Sequence, residues 1–164
     1  MDQPSSFESR LAELLPRLRR FAHALSRNPA DADDLTQATI ERALRSKDQW
    51  QPGTRLDSWA YRIMRNHWID TARARSRQNA REAPEEEGLR VGEDPREAMD
   101  AAVDAQRVMA AMSSLPDEQR EIVALILVEG FGYREVSEML GLPIGTVSSR
   151  LVRGRTALLA MVGE

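Results

Sequence analysis

A short turn, Gly141-Leu142-Pro143, separates Tyr133–Leu140 from the stretch 144–158, and this arrangement constrains the fold more than any other feature of the chain. Helix, glycine-bearing turn, helix is the layout of a helix-turn-helix DNA reader. In the second segment Val147, Leu151, Gly154 and Leu158 recur at intervals of four, three and four. On a helix of about 3.6 residues per turn they share one inward face. Ser149, Val152, Arg153 and Thr156 then point the opposite way, with Ser148, Arg150 and Arg155 on the flanks. Short hydroxyls can bond to phosphates or base edges, and arginine can grip guanine or a phosphate through two parallel bonds. An amphipathic helix with a solvated arginine side satisfies the same spacing, so the pattern alone favours DNA only modestly.

Helical spacing continues through the rest of the chain, and strand signals are almost missing: there are no alternating segments and no Asn-Gly or Asp-Gly turns. Leu11, Leu14, Leu15, Leu18, Phe21, Ala22 and Leu25 form an apolar face that breaks near Asn28-Pro29. Asp31 or Asp33 caps a second expected helix carrying Leu35, Ala38, Thr39, Arg42 and Ala43 and ending near Lys47. Pro52-Gly53 marks a turn, and a third helix is expected from about Arg55 to Arg77. Residues 78–102 read differently. Between 78 and 100 the large apolar side chains are Leu89, Val91 and Met99, among Pro84, Gly88, Gly92 and Pro95. Such a stretch cannot bury enough surface to offset its ordering entropy. Helical patterning resumes with Val103, Val108, Met109, Met112 and Leu115; Pro116 starts a further helix with a dense apolar segment, Ile122–Leu127, that Gly130 ends. The expected fold is all-α, with two small helical domains, 1–77 and 103–164, joined by a flexible acidic linker, 78–102. The second domain carries the helix-turn-helix.

Composition removes whole classes of function. The chain has no cysteine, so disulfide frameworks and zinc–thiolate sites are excluded. His23 and His67 are far apart with no paired acidic motif, which favours solvated or packed histidines over a metal site. No serine–histidine–acid constellation or phosphate-binding glycine loop is present, so neither catalysis nor a cofactor is expected. Charges at Glu8, Arg10 and Glu13 interrupt any signal-peptide core, and the longest apolar run, Ile122–Val128, falls far short of the roughly 20 residues of a bilayer span. A soluble, cytoplasmic protein is expected.

The net charge of −3 looks wrong for a nucleic-acid binder until its distribution is examined. Between Tyr61 and Arg81 stand six arginines (62, 65, 73, 75, 77, 81) against Asp70. Between Glu82 and Asp100 stand eight acids against Arg90 and Arg96. Over a Debye length of about 8–10 Å, local patches and not the whole-chain sum decide phosphate attraction. Within the third helix Arg62, Asn66, Asp70, Arg73 and Arg77 fall on one polar, mostly basic stripe, opposite Tyr61, Met64, Trp68 and Ala72. Such a stripe tracks phosphates, and Asn66 can offer donor and acceptor together to an unstacked base. Asp70 interrupts the stripe unless it pairs with Arg73 or Arg62. Trp59 suits base stacking and core packing equally; Trp68 reads as core.

Two separated segments now carry a family resemblance. The first is Ala32-Asp33-Asp34-Leu35-Thr36-Gln37-Ala38-Thr39, followed by Trp50-Gln51-Pro52-Gly53 and Ser58-Trp59-Ala60-Tyr61-Arg62-Ile63-Met64-Arg65-Asn66-His67-Trp68-Ile69-Asp70. The second is Leu115-Pro116-Asp117-Glu118-Gln119-Arg120-Glu121, then Glu129-Gly130-Phe131-Gly132-Tyr133-Arg134-Glu135-Val136 and Gly145-Thr146-Val147-Ser148-Ser149-Arg150-Leu151. Together they resemble an extracytoplasmic-function (ECF) sigma factor of the bacterial sigma-70 family, over roughly residues 7–77 and 103–160.

The resemblance implies that Asp34, Leu35 and Gln37 dock on core RNA polymerase. It implies that Trp59, Arg62, Asn66, Arg73 and Arg77 open and read the −10 promoter element. The helix 144–158 then enters the major groove at the −35 element, with Arg150, Arg153 and Arg155 as the charged contacts and Ser149 and Thr146 near the helix start. Val152 shares that outward face, and Arg134 touches backbone phosphate or is solvated. Many relatives carry a basic residue where this chain has Ser148, so that position departs from the family pattern. An anti-sigma factor and a role in stress response are also implied, with no membrane insertion of the chain itself. Two other readings compete: a sigma-like decoy that sequesters an anti-sigma factor, and a stand-alone helix-turn-helix regulator, which leaves 7–77 unexplained.

Overall fold

The structure is a computed structural model that describes residues 6–81 and 100–163, with side-chain environments for 6–78 and 106–163. Residues 82–99, most of the expected acidic linker, lie outside the described residues. Among those described there are eight α-helices and no strand: α1 (Phe7–Glu13), α2 (Leu15–Ser26), α3 (Pro29–Arg45), α4 (Leu56–Arg81), α5 (Asp100–Ser113), α6 (Asp117–Val123), α7 (Tyr133–Leu140) and α8 (Ile144–Val162). The all-α expectation agrees with this.

Local chemistry sets the helix ends. Pro16 lies in the first turn of α2. It has no N–H for the preceding ladder and its ring crowds the turn before it, so the continuous apolar pattern from Leu11 to Leu25 is delivered as two helices hinged at Leu14. The cap of α3 is Asn28 and not Asp31 or Asp33, because Asn28 immediately precedes the first-turn Pro29. Its Oδ1 accepts from the N–H groups of Ala30 at 2.9 Å and Asp31 at 3.2 Å. Helix α4 runs past Arg77 to Arg81, and α6 continues as a π turn over Ala124–Val128 before Gly130 turns the chain with φ +80°.

Helices α2, α3 and α4 pack around Leu18, Phe21, Leu35, Tyr61 and Met64, all at most 3% exposed. Helices α5 to α8 bury Leu115, Ile122, Val136, Val147 and Leu151. Each such side chain contributes about 1.5–3 kcal/mol on burial. Gly154 is required by the crossing of α6 and α8: a Cβ there would lie 2.8 Å from Val123 Cγ2 and 3.3 Å from Gln119 Cβ.

The two helical halves pack directly on one another, α2 against α5 and α6, and α4 against α7. Phe131, 2% exposed, crosses the seam to meet Tyr61 edge-on at 5.4 Å, with the Arg55 guanidinium 4.6 Å from its ring. Arg120, also 2% exposed, donates to the carbonyls of Ala24, Leu25 (3.1 Å) and Leu115 (2.8 Å). The first two are end carbonyls of α2 that no helical N–H can satisfy, so a side chain from the second half caps a helix of the first.

Candidate nucleic-acid interface

Helix α4 presents the basic stripe. Arg62, Asn66, Asp70, Arg73 and Arg77 are all exposed, while Tyr61 and Met64 on the opposite side are fully buried. Trp68 is half-buried under Arg75, whose guanidinium lies 5.8 Å from its ring. Ala72, expected on the apolar side, is exposed, as is every side chain from Ala72 to Gln78. The amphipathic pattern therefore fails where α4 loses its packing partners. Asp70 pairs with neither Arg62 nor Arg73 among the described residues. Off the stripe, Arg75 holds Asp31 at 2.9 Å and 3.0 Å and lowers that acid's pKa.

Beside the start of α4 lies a cleft of ≈ 460 Å³ lined by Gln51, Thr54, Ser58, Trp59 and Arg62 on one side and by Glu135, Glu138 and Met139 of α7 on the other. Trp59 is half-buried. It meets Phe7 edge-on at 5.9 Å and also lines the cleft, so it serves the core and an open surface at once. Phe7 also meets Trp50 at 5.7 Å, and the Trp50 Nε1 is buried without a hydrogen-bond partner.

The helix-turn-helix is α7 and α8. Gly141 supplies the left-handed turn residue with φ +66°, and Leu142 N–H returns to Ser137 O at 3.1 Å. Val147, Leu151 and Gly154 are buried and Leu158 half-buried, which leaves Ser149, Val152, Arg153 and Arg155 exposed. Thr146 and Ser148 are half-buried, and Arg134 is exposed on α7. Arg150 is half-buried with its guanidinium 3.6 Å from Glu118 on α6. No side chain caps α8; the Thr146 N–H bonds back to the Pro143 carbonyl at 3.0 Å, and the start of the helix is its positive end.

On α3, Asp34 and Gln37 are exposed but Leu35 is 3% exposed. Its side chain therefore holds α3 from beneath and cannot itself touch a partner. Gln37 lines a shallow groove of ≈ 410 Å³ with Leu15, Arg19, Asp33, Thr36 and Ile40.

The seam between the halves carries a charge network that the sequence did not signal. The Glu129 side chain is 1% exposed. It accepts from Arg17 at 3.3 Å, from Arg20 at 2.7 Å and 3.0 Å, and from the Tyr61 hydroxyl at 2.6 Å. Burial alone would raise this carboxyl's pKa, but those donors outweigh burial and hold it below its usual value. Burial and the bond to Glu129 push the Tyr61 hydroxyl pKa up. Glu121 goes the other way: it is buried, and its pairing with Arg65 offsets the burial only in part, so its pKa is raised. Arg17 also reaches Asp57 at 3.1 Å, and Arg55 donates to both Asp57 and Glu135. Isolated Arg, Glu and Tyr positions have no periodicity of their own, which is why spacing could not find this network.

A helix-turn-helix and a second, separate basic helix beside an aromatic-lined cleft define a two-part nucleic-acid-binding protein. The comparisons make the class specific. The chain matches the family models for Sigma-70 region 2 over residues 11–78 and Sigma-70, region 4 over residues 105–158. It is 38% identical over 156 residues to the ECF RNA polymerase sigma factor SigE of Mycolicibacterium smegmatis, covering 93% of this chain and 60% of that protein's length. It is 33% identical over 162 residues to the ECF RNA polymerase sigma factor EcfG of Rhodopseudomonas palustris, covering 99% of this chain and 88% of that one. Its fold resembles that of the sigma factor RpoE of Bartonella quintana, solved in complex with the anti-sigma factor NepR, with TM-score 0.81, 30% identity and 96% of each chain covered. The chain belongs to the ECF group of the sigma-70 family, whose members are transcription initiation factors and not enzymes. Among the described residues no helix is long and apolar enough to cross a membrane.

Proposed function

We propose that this chain is a promoter-specificity subunit acting in the bacterial cytoplasm. It docks on core RNA polymerase through α3, with Asp34 and Gln37 at the contact and Leu35 positioning the helix. Helix α4 captures and holds open the −10 element, and α8 reads the −35 element through Arg153 and Arg155, with Ser149 and Thr146 near the helix start. The working units are 1–77 and 103–164, with 78–102 as the tether. Melting draws on binding energy: bases held against Trp59 and Asn66 offset an unstacking cost of a few kcal/mol. The observation that carries this reading is the exposed stripe Arg62, Asn66, Arg73 and Arg77 beside the Trp59 cleft, in one chain with an exposed Arg153–Arg155 edge on α8.

Regulation by an anti-sigma factor, in a stress response, completes the proposal. Its support is the likeness over 96% of both chains to an RpoE solved with NepR. The test is run-off transcription on fragmented bacterial genomic DNA with core RNA polymerase, with and without this protein, followed by sequencing of the 5′ ends. New transcripts sharing a two-part upstream motif are expected. Tight polymerase binding without transcripts, or no polymerase binding at all, points to the decoy or stand-alone regulator and refutes the proposal.

A further inference from the structure

Helix α1 has seven residues, too few to be stable alone, so its contacts decide what it is for. The Ser6 hydroxyl accepts from the Ser9 N–H at 3.0 Å and starts it; the hinge at Leu14 separates it from α2. From its first turn it grips the segment between α3 and α4. Phe7 meets Trp50 at 5.7 Å and Trp59 edge-on at 5.9 Å. Glu8 pairs with Lys47 at 3.1 Å, and the Arg10 guanidinium lies 5.0 Å from the centre of the Trp50 ring.

That segment forms one side of the cleft, through Gln49, Gln51, Thr54, Ser58 and Trp59. Pro52 and Gly53 are the centre of a tight turn, with Gly53 at φ +95°. The Thr54 N–H and hydroxyl both close it on the Gln51 carbonyl, at 3.2 Å and 2.6 Å. Because the turn is closed on itself, its place is set by what holds its two ends. Leu56, 4% exposed, anchors one end in the core, and Trp50 anchors the other. The Trp50 Nε1 is buried without an acceptor, which costs free energy. Contacts of its ring, Phe7 and Arg10 foremost, have to offset that cost.

We propose that α1 is a positioning clasp: Phe7 and Arg10 hold the turn 51–54 and the Trp59 ring in the geometry that receives an unstacked base, so α1 controls promoter opening without touching DNA. This rests on the reading of Trp59 as the residue that stacks on a base of the −10 element. Phe7 is half-buried and contributes nothing to the cleft lining, so it acts through Trp59 and Trp50 and is a positioning residue. Loss of one aromatic contact of this kind shifts an equilibrium about three- to tenfold. Loss of an exposed cation over a ring shifts it about two- to fivefold.

The test uses the full chain with core RNA polymerase on a promoter found by the run-off experiment. Polymerase binding, closed-complex affinity in the cold and the rate of opening, read by permanganate reactivity of −10 thymines, are measured separately. Phe7→Leu should slow opening about three- to tenfold and Arg10→Gln about two- to fivefold, with polymerase binding and closed-complex affinity unchanged. Phe7→Tyr, which keeps the ring, should open at close to the unaltered rate. Trp59→Ala should slow opening at least as much as Phe7→Leu, and adding Phe7→Leu to it should cost little more, because both act through one ring. Arg10 is exposed, so Arg10→Gln decides the matter should Phe7→Leu lose helicity. Slow opening in Trp59→Ala with an unaltered rate in Phe7→Leu and Arg10→Gln overturns the inference and leaves Trp59 as the stacking residue. Equal loss of polymerase binding, closed-complex affinity and opening in the α1 variants also overturns it, since α1 is then only part of the core. Normal opening by Trp59→Ala, or no promoter to open, overturns that reading and the inference together.

Discussion

Replacing Arg120 with methionine tests the seam where its energetics are best defined. The guanidinium is 2% exposed and donates to the carbonyls of Ala24, Leu25 and Leu115 and to Asp117 Oδ1 at 2.6 Å. Burial pulls its pKa down, and Asp117 restores only part of that loss. Methionine keeps much of the stem packing but offers no donor. Each carbonyl left dry costs about 1–3 kcal/mol. Against that stands the relief of no longer burying a cation, several kcal/mol. The Asp117 side chain is 74% exposed and simply returns to water. The net expectation is a loss of about 3 kcal/mol. In urea unfolding followed by circular dichroism this lowers the midpoint by about 1.5 M for a slope of about 2 kcal/mol/M. Arg120→Lys should lose most of the same stability, since one ammonium cannot span three carbonyls held by a planar fork. Asp117→Asn should cost under about 1 kcal/mol. A midpoint for Arg120→Met within error of the unaltered chain would refute the reasoning, showing that the end of α2 does not depend on its cap from α6.

Four further outcomes are expected. Gly154→Ala forces a methyl group into Val123 Cγ2 at 2.8 Å and should destabilise by about 1–3 kcal/mol in the same unfolding assay. Arg153→Ala should weaken binding to −35 duplex DNA by about 1–3 kcal/mol while leaving polymerase binding intact; Asn66→Ala should impair promoter opening, read by permanganate footprinting, more than duplex binding. Equal loss of polymerase binding in both would make these residues structural. Glu129 has a folded pKa below its usual 4.5. Its contribution is therefore fully present above that usual value and is lost as pH falls through the lower folded one. Glu129→Gln should be less stable than the unaltered chain at neutral pH, with the gap closing in acid; a gap constant with pH would show that its ionisation is not what holds the seam.

Much of this protein was legible in one dimension because helices repeat. Val147, Leu151 and Gly154 are buried and Ser149, Val152, Arg153 and Arg155 exposed, as a period of about 3.6 residues requires. The all-α class, the helix-turn-helix and the basic stripe of α4 follow from the same rule, and the order of the motifs pointed to the family. Where a side chain's role depends on a neighbour distant in sequence, periodicity is silent. Leu35 sat inside a surface motif but packs inward, Arg150 turned toward Glu118, and Asn28 displaced two aspartates as a cap because of the proline beside it. Arg120 and Glu129 belong to motifs that gave no hint of burial, since each is satisfied by partners about a hundred residues away, Leu25 for one and Arg20 for the other. Sequence determined which face of each helix is apolar, a local property of spacing. Only tertiary structure decided which faces meet, because a buried charge is tolerable solely where distant donors and acceptors converge on it.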